Sequence, residues 1–181
     1  MSSNFLEQLV AEWYEVRGYF VRRNVHVGPR PKGGYEGELD VVAFNPTTSH
    51  LVHIEPSADA DPWDERERRF TKKFESGRKY VPAIFHGLSP GESLEQIALL
   101  VLGAKGTRTS LGGGKLVFVG EFIEEIFRFL KDRRLAKNAI PEQFPLLRSF
   151  QFVAEYFGHV SRGLQKGTTS QRLRNPHHPM R

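Results

Sequence analysis

The chain has 181 residues, 26 Lys and Arg against 21 Asp and Glu, a formal net charge of +5 and no cysteine. That length suffices for one domain with a sizeable buried core, and the missing cysteine excludes disulfides and thiolate metal sites. Any metal would need oxygen or imidazole ligands, and carboxylates favour magnesium or manganese. No secretory signal is visible and no apolar run reaches the roughly 18 residues of a membrane span, so a soluble, cytoplasmic protein is expected. The basic balance is compatible with a polyanionic partner.

The apolar stripe Phe5, Leu6, Leu9, Val10 and Trp13 predicts a helix over residues 5–17, with Asn4 as N-cap and Gly18 at its end. Residues 19–27 read as a strand, and residues 28–37, rich in Gly and Pro, as a loop. Two further strands, 38–44 and 51–57, are joined by the turn-forming Asn45-Pro46-Thr47-Thr48-Ser49-His50. Asp61-Pro62-Trp63 opens a second helix to about Gly77, with Phe70 and Phe74 one turn apart. Residues 79–86 read as a fourth strand in which Pro82 marks an edge or an irregularity. Residues 93–103 read as an apolar helix, 105–114 as a Gly/Thr-rich loop and 115–119 as a fifth strand. Helices over 121–134 and 146–157 complete the order.

A three-strand meander followed by a strand beyond a crossover helix implies a mixed α/β sheet flanked by helices. Residues 1–160 are expected to form one domain. The basic tail, 161–181, is poor in large apolar residues and is expected to lack order.

Two acids stand out. If Phe44 faces Leu51 across the hairpin, four steps back along one strand reach Asp40 and four steps on along the other reach Glu55. Their carboxylates are then cross-strand neighbours, about 4.5–5.5 Å apart at Cβ. Like charges so placed repel, and both sit in apolar strands where a lone charge is costly. A divalent cation between them would turn the liability into a site. The plainer account is a pair of solvated strand-end acids, each facing an arginine. Glu7 lies on the first helix, where the macrodipole alone favours an acid, and could lean over the same sheet edge. Arg22, Arg23, Arg30 and Lys32 place positive charge nearby.

Cleavage of a phosphodiester needs carboxylates that hold a metal and positive charge for the developing phosphorane. This constellation resembles the PD-(D/E)XK nuclease superfamily, with restriction-endonuclease-like fold. The resemblance covers roughly residues 5–85 and rests on Glu7 in Phe5-Leu6-Glu7, Asp40 in Glu38-Leu39-Asp40-Val41-Val42 and Glu55 in His53-Ile54-Glu55-Pro56-Ser57, together with the element order αβββαβ. It implies a nuclease acting on DNA rather than RNA, with Asp40 and Glu55 holding Mg2+ or Mn2+ and Glu7 assisting. Arg22, Arg23 and Lys32 would meet the nucleic-acid backbone, and a homodimer is compatible with such folds. One departure is clear: the family's lysine, two residues after the second acid, falls at Ser57. Lys72, Lys73 or Lys79 could replace it from the following elements, and Asp59 and Asp61 could join a metal shell. The alternative is a nuclease-fold module without catalysis that binds nucleic acid or a partner protein.

Three further groups have a bland reading beside a sharp one. The charges of the second helix, Arg66, Arg68, Arg69, Lys72 and Lys73 among Glu65, Glu67 and Glu75, read as a salt-bridged solvated face or as a phosphate-tracking one. His53 reads as a packed, hydrogen-bonded core histidine rather than a ligand. Glu12 and Glu15 read as surface charges.

Overall fold

The computed structural model describes residues 5–85, 93–104, 106–159 and 161–162. Asn4, His86 and the tail from 163 lie outside the described residues. The chain divides into two compact units, residues 1–126 and 127–181.

The first unit is built on a six-stranded mixed sheet in the order β1-β2-β3-β4-β6-β5. Helix α1 (Phe5–Val16) precedes the meander β1 (Phe20–Pro29), β2 (Tyr35–Asn45) and β3 (His50–Ser57). Helix α2 (Trp63–Ile84) then crosses over to β4 (Leu94–Leu100), which lies parallel to β3. The short β5 (Ser110–Leu111) and β6 (Gly114–Phe118) form a hairpin, with β6 parallel to β4. Helix α3 (Val119–Leu130) follows. The mixed α/β class with a helix-flanked sheet is that expected; the strand that follows α2 is β4, not the one expected over 79–86.

Two elements differ from the sequence reading. The expected strand 79–86 falls, in its described residues, on the last turns of α2, which ends at Ile84. Phe70, Phe74, Gly77, Val81 and Phe85 continue one buried stripe at helical spacing, and Val81 and Phe85 pack with Val42, Phe44 and Leu51. Pro82 removes one N–H and crowds the carbonyl four residues earlier, and the helix ends two residues later. The expected helix 93–103 is strand β4. It lies between β3 and β6, so both faces are covered: Ala98 and Leu100 pack with Phe70 and Phe74 of α2, while Ile97 and Leu99 face the other side. A strand buried on both faces shows no alternation and cannot be told from a helix by periodicity.

The loop expected over 28–37 shrinks to residues 30–34, because β1 and β2 extend along each other to Pro29↔Tyr35. Proline is tolerated there because β1 is an edge strand.

Helix α2 lies unusually close to the sheet. A Cβ on Gly77 would fall 2.3 Å from His53 Nδ1, and one on Gly114 would fall 2.4 Å from Phe74 Cε2. These two positions must stay bare for α2 to reach its place. Glycine within a helix costs about 1 kcal/mol relative to alanine, so packing outweighs propensity at Gly77.

The second unit contains α4 (Leu135–Asn138) and α5 (Pro145–Glu155). Proline at the first position of α5 needs no N–H partner. Gln151 is fully buried; its Oε1 accepts from the Ile140 amide at 2.8 Å and its Nε2 donates to the Asn138 carbonyl at 3.3 Å. Among the described residues no helix is long and apolar enough to cross a membrane.

Candidate active site

The expected hairpin register is present: Phe44 pairs with Leu51 and Val41 with Ile54. Ladder pairing ends there, one step before Asp40 and Glu55. On the other side of β2, Arg23 pairs with Val41 and Val25 with Leu39, while Asn24 between them is left-handed at φ 51°. Asparagine adopts that conformation more readily than other non-glycine residues. Asp40 therefore sits where both ladders are interrupted, and its amide donates to Glu55 Oε1 at 3.3 Å.

Lys73 of α2 closes the site. Its ammonium donates to Asp40 Oδ2 at 2.9 Å and also to Glu55 Oε2. Glu55 is completely buried, Asp40 is 16 % exposed and Lys73 32 %. Lys73 stands three residues after Phe70 and four before Gly77, on the flank of the buried stripe, so helical phase alone aims it at the sheet. The neighbouring Lys72 is exposed.

Behind Glu55 runs a hydrogen-bonded chain that leads from the exposed Arg78 to the buried Gln96 and His53. Arg78 Nη1 donates to Gln96 Oε1 at 2.8 Å, which fixes the amide so that its Nε2 donates to the Phe74 carbonyl at 2.9 Å and to His53 Nδ1 at 3.2 Å. With Nδ1 an acceptor, the ring proton lies on Nε2 and is donated to Glu55 Oε1 at 2.7 Å. One Glu55 oxygen is thus held by His53 and the Asp40 amide, and the other is turned to the cation. His53 is fully buried, as the core reading had it. Burial, aided by Lys73, pushes its pKa down to about 3 and keeps it neutral. The link to Gln96 was hidden in the sequence because β4 read as a helix.

Burial first, and then the Glu55 carboxylate beside it, raises the pKa of Asp40 to about 7, although Lys73 opposes the shift. Burial alone would lower the pKa of Lys73, but the Glu55 and Asp40 carboxylates outweigh it and raise the pKa above its ordinary value. The group is therefore one cation shared by two carboxylates.

Asp40 opens onto a cleft of about 380 Å³. Glu36, Glu38 and Asp40 form its wall on β2, and Arg69, Lys72 and Lys73 its wall on α2. Glu7, half-buried on α1, is not among the residues lining it. Arg22, Arg23 and Lys32 are all exposed, the first two on the edge strand and the third at the tip of the β1–β2 turn. That turn projects past the C-terminal end of β3, the end on which Glu55 stands, because β2 runs antiparallel to β3.

Ser57 does not face an empty cation position. Its Oγ donates to Asp59 Oδ2 at 2.9 Å and accepts from Arg69 Nη2 at 3.1 Å. Arg69 also pairs with Asp59 at 2.8 Å and with Asp61 at 2.5 Å, so those two acids are engaged away from Asp40 and Glu55. Arg66 is buried, with Nη1 donating to the Leu102 carbonyl at 2.9 Å. The charges of α2 thus reach across to the sheet and its loops more than along the helix, where Arg68 and Glu65 are 4.0 Å apart. Lys79 bonds Glu36 at 2.8 Å and does not touch the carboxylate pair. Glu12 is buried rather than solvated, and accepts from Gln8 Nε2 at 3.0 Å. Among the described residues no group of three or more His, Asp or Glu is arranged to hold a metal.

In comparison with known proteins, no family model matches the chain and no curated protein matches it.

Proposed function

We propose that this chain is a metal-dependent nuclease of the PD-(D/E)XK kind that cleaves phosphodiester bonds in DNA. The observation that carries the reading is Lys73: its ammonium, from α2, meets both Asp40 and Glu55, supplying the cation that Ser57 cannot. The donor set fits a hard divalent ion, since two carboxylate oxygens already converge on one cationic point. Magnesium is commonly held by one or two carboxylates plus waters and substrate phosphate, so a third protein acid is not required.

Asp40 and Glu55 would hold the ion. When bound, it supplies charge neutralisation at the scissile phosphate and acidifies a water. His53 holds Glu55 Oε1, so that the other oxygen stays turned to Lys73. Lys73, released from neutralising the pair alone, offers its ammonium to the negative charge that develops on the phosphoryl oxygens. Arg22, Arg23 and Lys32 would meet the backbone of the nucleic acid, and so would Lys72 on the cleft wall.

A second reading, a nuclease-fold module that binds without cutting, is favoured by the same triad: Lys73 already satisfies both carboxylates, and Ser57 and Arg69 are tied to Asp59. Incubation with supercoiled, linear, single-stranded and junction DNA, in magnesium and then manganese, separates the two. The nuclease reading predicts metal-dependent cutting that Asp40→Asn and Glu55→Gln abolish while circular dichroism stays unchanged. Wild-type cutting by Asp40→Asn would sink it; nucleic-acid binding without cutting or metal uptake would favour the module.

A further inference from the structure

The opposite face of the sheet carries a second, smaller cavity of about 170 Å³ within the first unit. Its floor is apolar and includes Trp13, Phe122, Ile97 and Val117. Three of its wall residues, His50, Glu95 and Lys115, stand near the starts of the parallel strands β3, β4 and β6. Glu55 and Ser57 lie at the other end of β3, so this cavity is separate from the cleft at Asp40.

The wall is ordered by hydrogen bonds. Tyr19 Oη and His50 Nδ1 are 2.9 Å apart, and His50 Nε2 lies 3.0 Å from Glu95 Oε2. Two ion pairs flank this chain, and both are loose: Arg17 to Glu125 at 3.6 Å and Lys115 to Glu95 at 3.8 Å. Close charge-assisted hydrogen bonds are about 2.7–2.9 Å long, so each pair keeps capacity for a further partner. Tyr14 is only 8 % exposed, and its hydroxyl makes no hydrogen bond among the described residues. The cavity therefore joins an apolar floor to one spare phenol, two carboxylates and two cations.

We infer that this cavity binds a small zwitterion with an apolar side chain, the chemical class of a free branched or aromatic amino acid. Its ammonium would meet Glu95 or Glu125, its carboxylate Arg17 or Lys115, and its side chain would cover the floor. A wall with both signs of charge selects a ligand carrying both. The volume falls below the roughly 300 Å³ at which drug-sized pockets begin, a size that suits a small ligand better than a nucleotide. The inference stands apart from the nuclease reading, since it uses none of the residues at Asp40.

Isothermal titration of the full chain with L-leucine tests it, with isoamylamine and 4-methylvalerate as probes that each lack one charge. Expected are saturable binding of leucine with Kd about 1 mM or tighter, and both single-charge probes at least about tenfold weaker. Glu95→Gln should weaken leucine at least about tenfold and leave 4-methylvalerate unchanged. If Glu95→Gln fails to fold by circular dichroism, Lys115→Met serves instead and should weaken leucine while sparing isoamylamine. No heat with leucine, equal binding of either single-charge probe, or indifference to the folded variant would overturn it.

Discussion

Two trios on α2, six residues apart, use the same chemistry in opposite surroundings. Lys73 joins Asp40 and Glu55 where the side chains are 32, 16 and 0 % exposed. Lys79 and Tyr80 join Glu36 at the surface, with Lys79 60 % and Glu36 45 % exposed. The carboxylates respond in opposite directions. Hydrogen bonds from Lys79 and then Tyr80 hold Glu36 below the ordinary carboxylate range, whereas burial and then Glu55 lift Asp40 to about 7. A lysine beside a carboxylate does not by itself set its ionisation; solvent decides how much the partner counts. Only the buried trio holds charge under conditions that chemistry can use.

The largest effect should come from deleting the centre of the buried trio. Glu55→Ala leaves the His53 Nε2–H without its acceptor and Lys73 with one carboxylate, and breaking a buried pair costs about 3–5 kcal/mol. Urea denaturation should show a loss of that size, while Glu36→Ala should leave the midpoint unchanged. Equal effects at the two positions would erase the distinction.

A pH series isolates Asp40. Its folded pKa lies above the ordinary value of 3.8, so the folded chain binds the proton more tightly than the unfolded chain. The resulting stabilisation is fully present below pH 3.8 and is lost as pH rises through about 7. In EDTA, this group should lower stability between pH 4 and 7 by about 3 kcal/mol. The component is the difference between wild type and Asp40→Asn in thermal melts; parallel profiles would contradict it.

Gly77→Ala should be smaller again. Helix propensity favours the alanine by about 1 kcal/mol, but overpacking against His53 and Gln96 costs about 1–3 kcal/mol. Net destabilisation of about 1 kcal/mol is expected in chemical denaturation, and a gain in stability would show that α2 does not press on His53.

The sequence carried more of this site than of the scaffold behind it. Asp40 and Glu55 were legible because a hairpin register needs only local parity and a turn, and the pairing of Phe44 with Leu51 is local in that sense. Lys73 was one of three lysines that could have served; the Phe70–Phe74 stripe holds its phase, but its height over Glu55 depends on how closely Gly77 and Gly114 let α2 approach. Gln96 was out of reach, since residues 94–100 carry a pattern that a buried strand and a helix share. The extension of α2 through Pro82 shows the same limit, because Val81 and Phe85 matter only once the sheet is beneath them. Arg69 was hidden among its charged neighbours until the loop carrying Asp59 and Asp61 folded back onto it.

A matched pair of lysine variants tests most directly whether Lys73 acts as the cation of a cutting site. Plasmid cleavage in magnesium should be compared for wild type, Lys73→Met and Lys79→Met, each checked for native circular dichroism. The prediction is a loss of about 100-fold or more for Lys73→Met and a rate close to wild type for Lys79→Met. Cleavage by folded Lys73→Met at the wild-type rate would contradict the account.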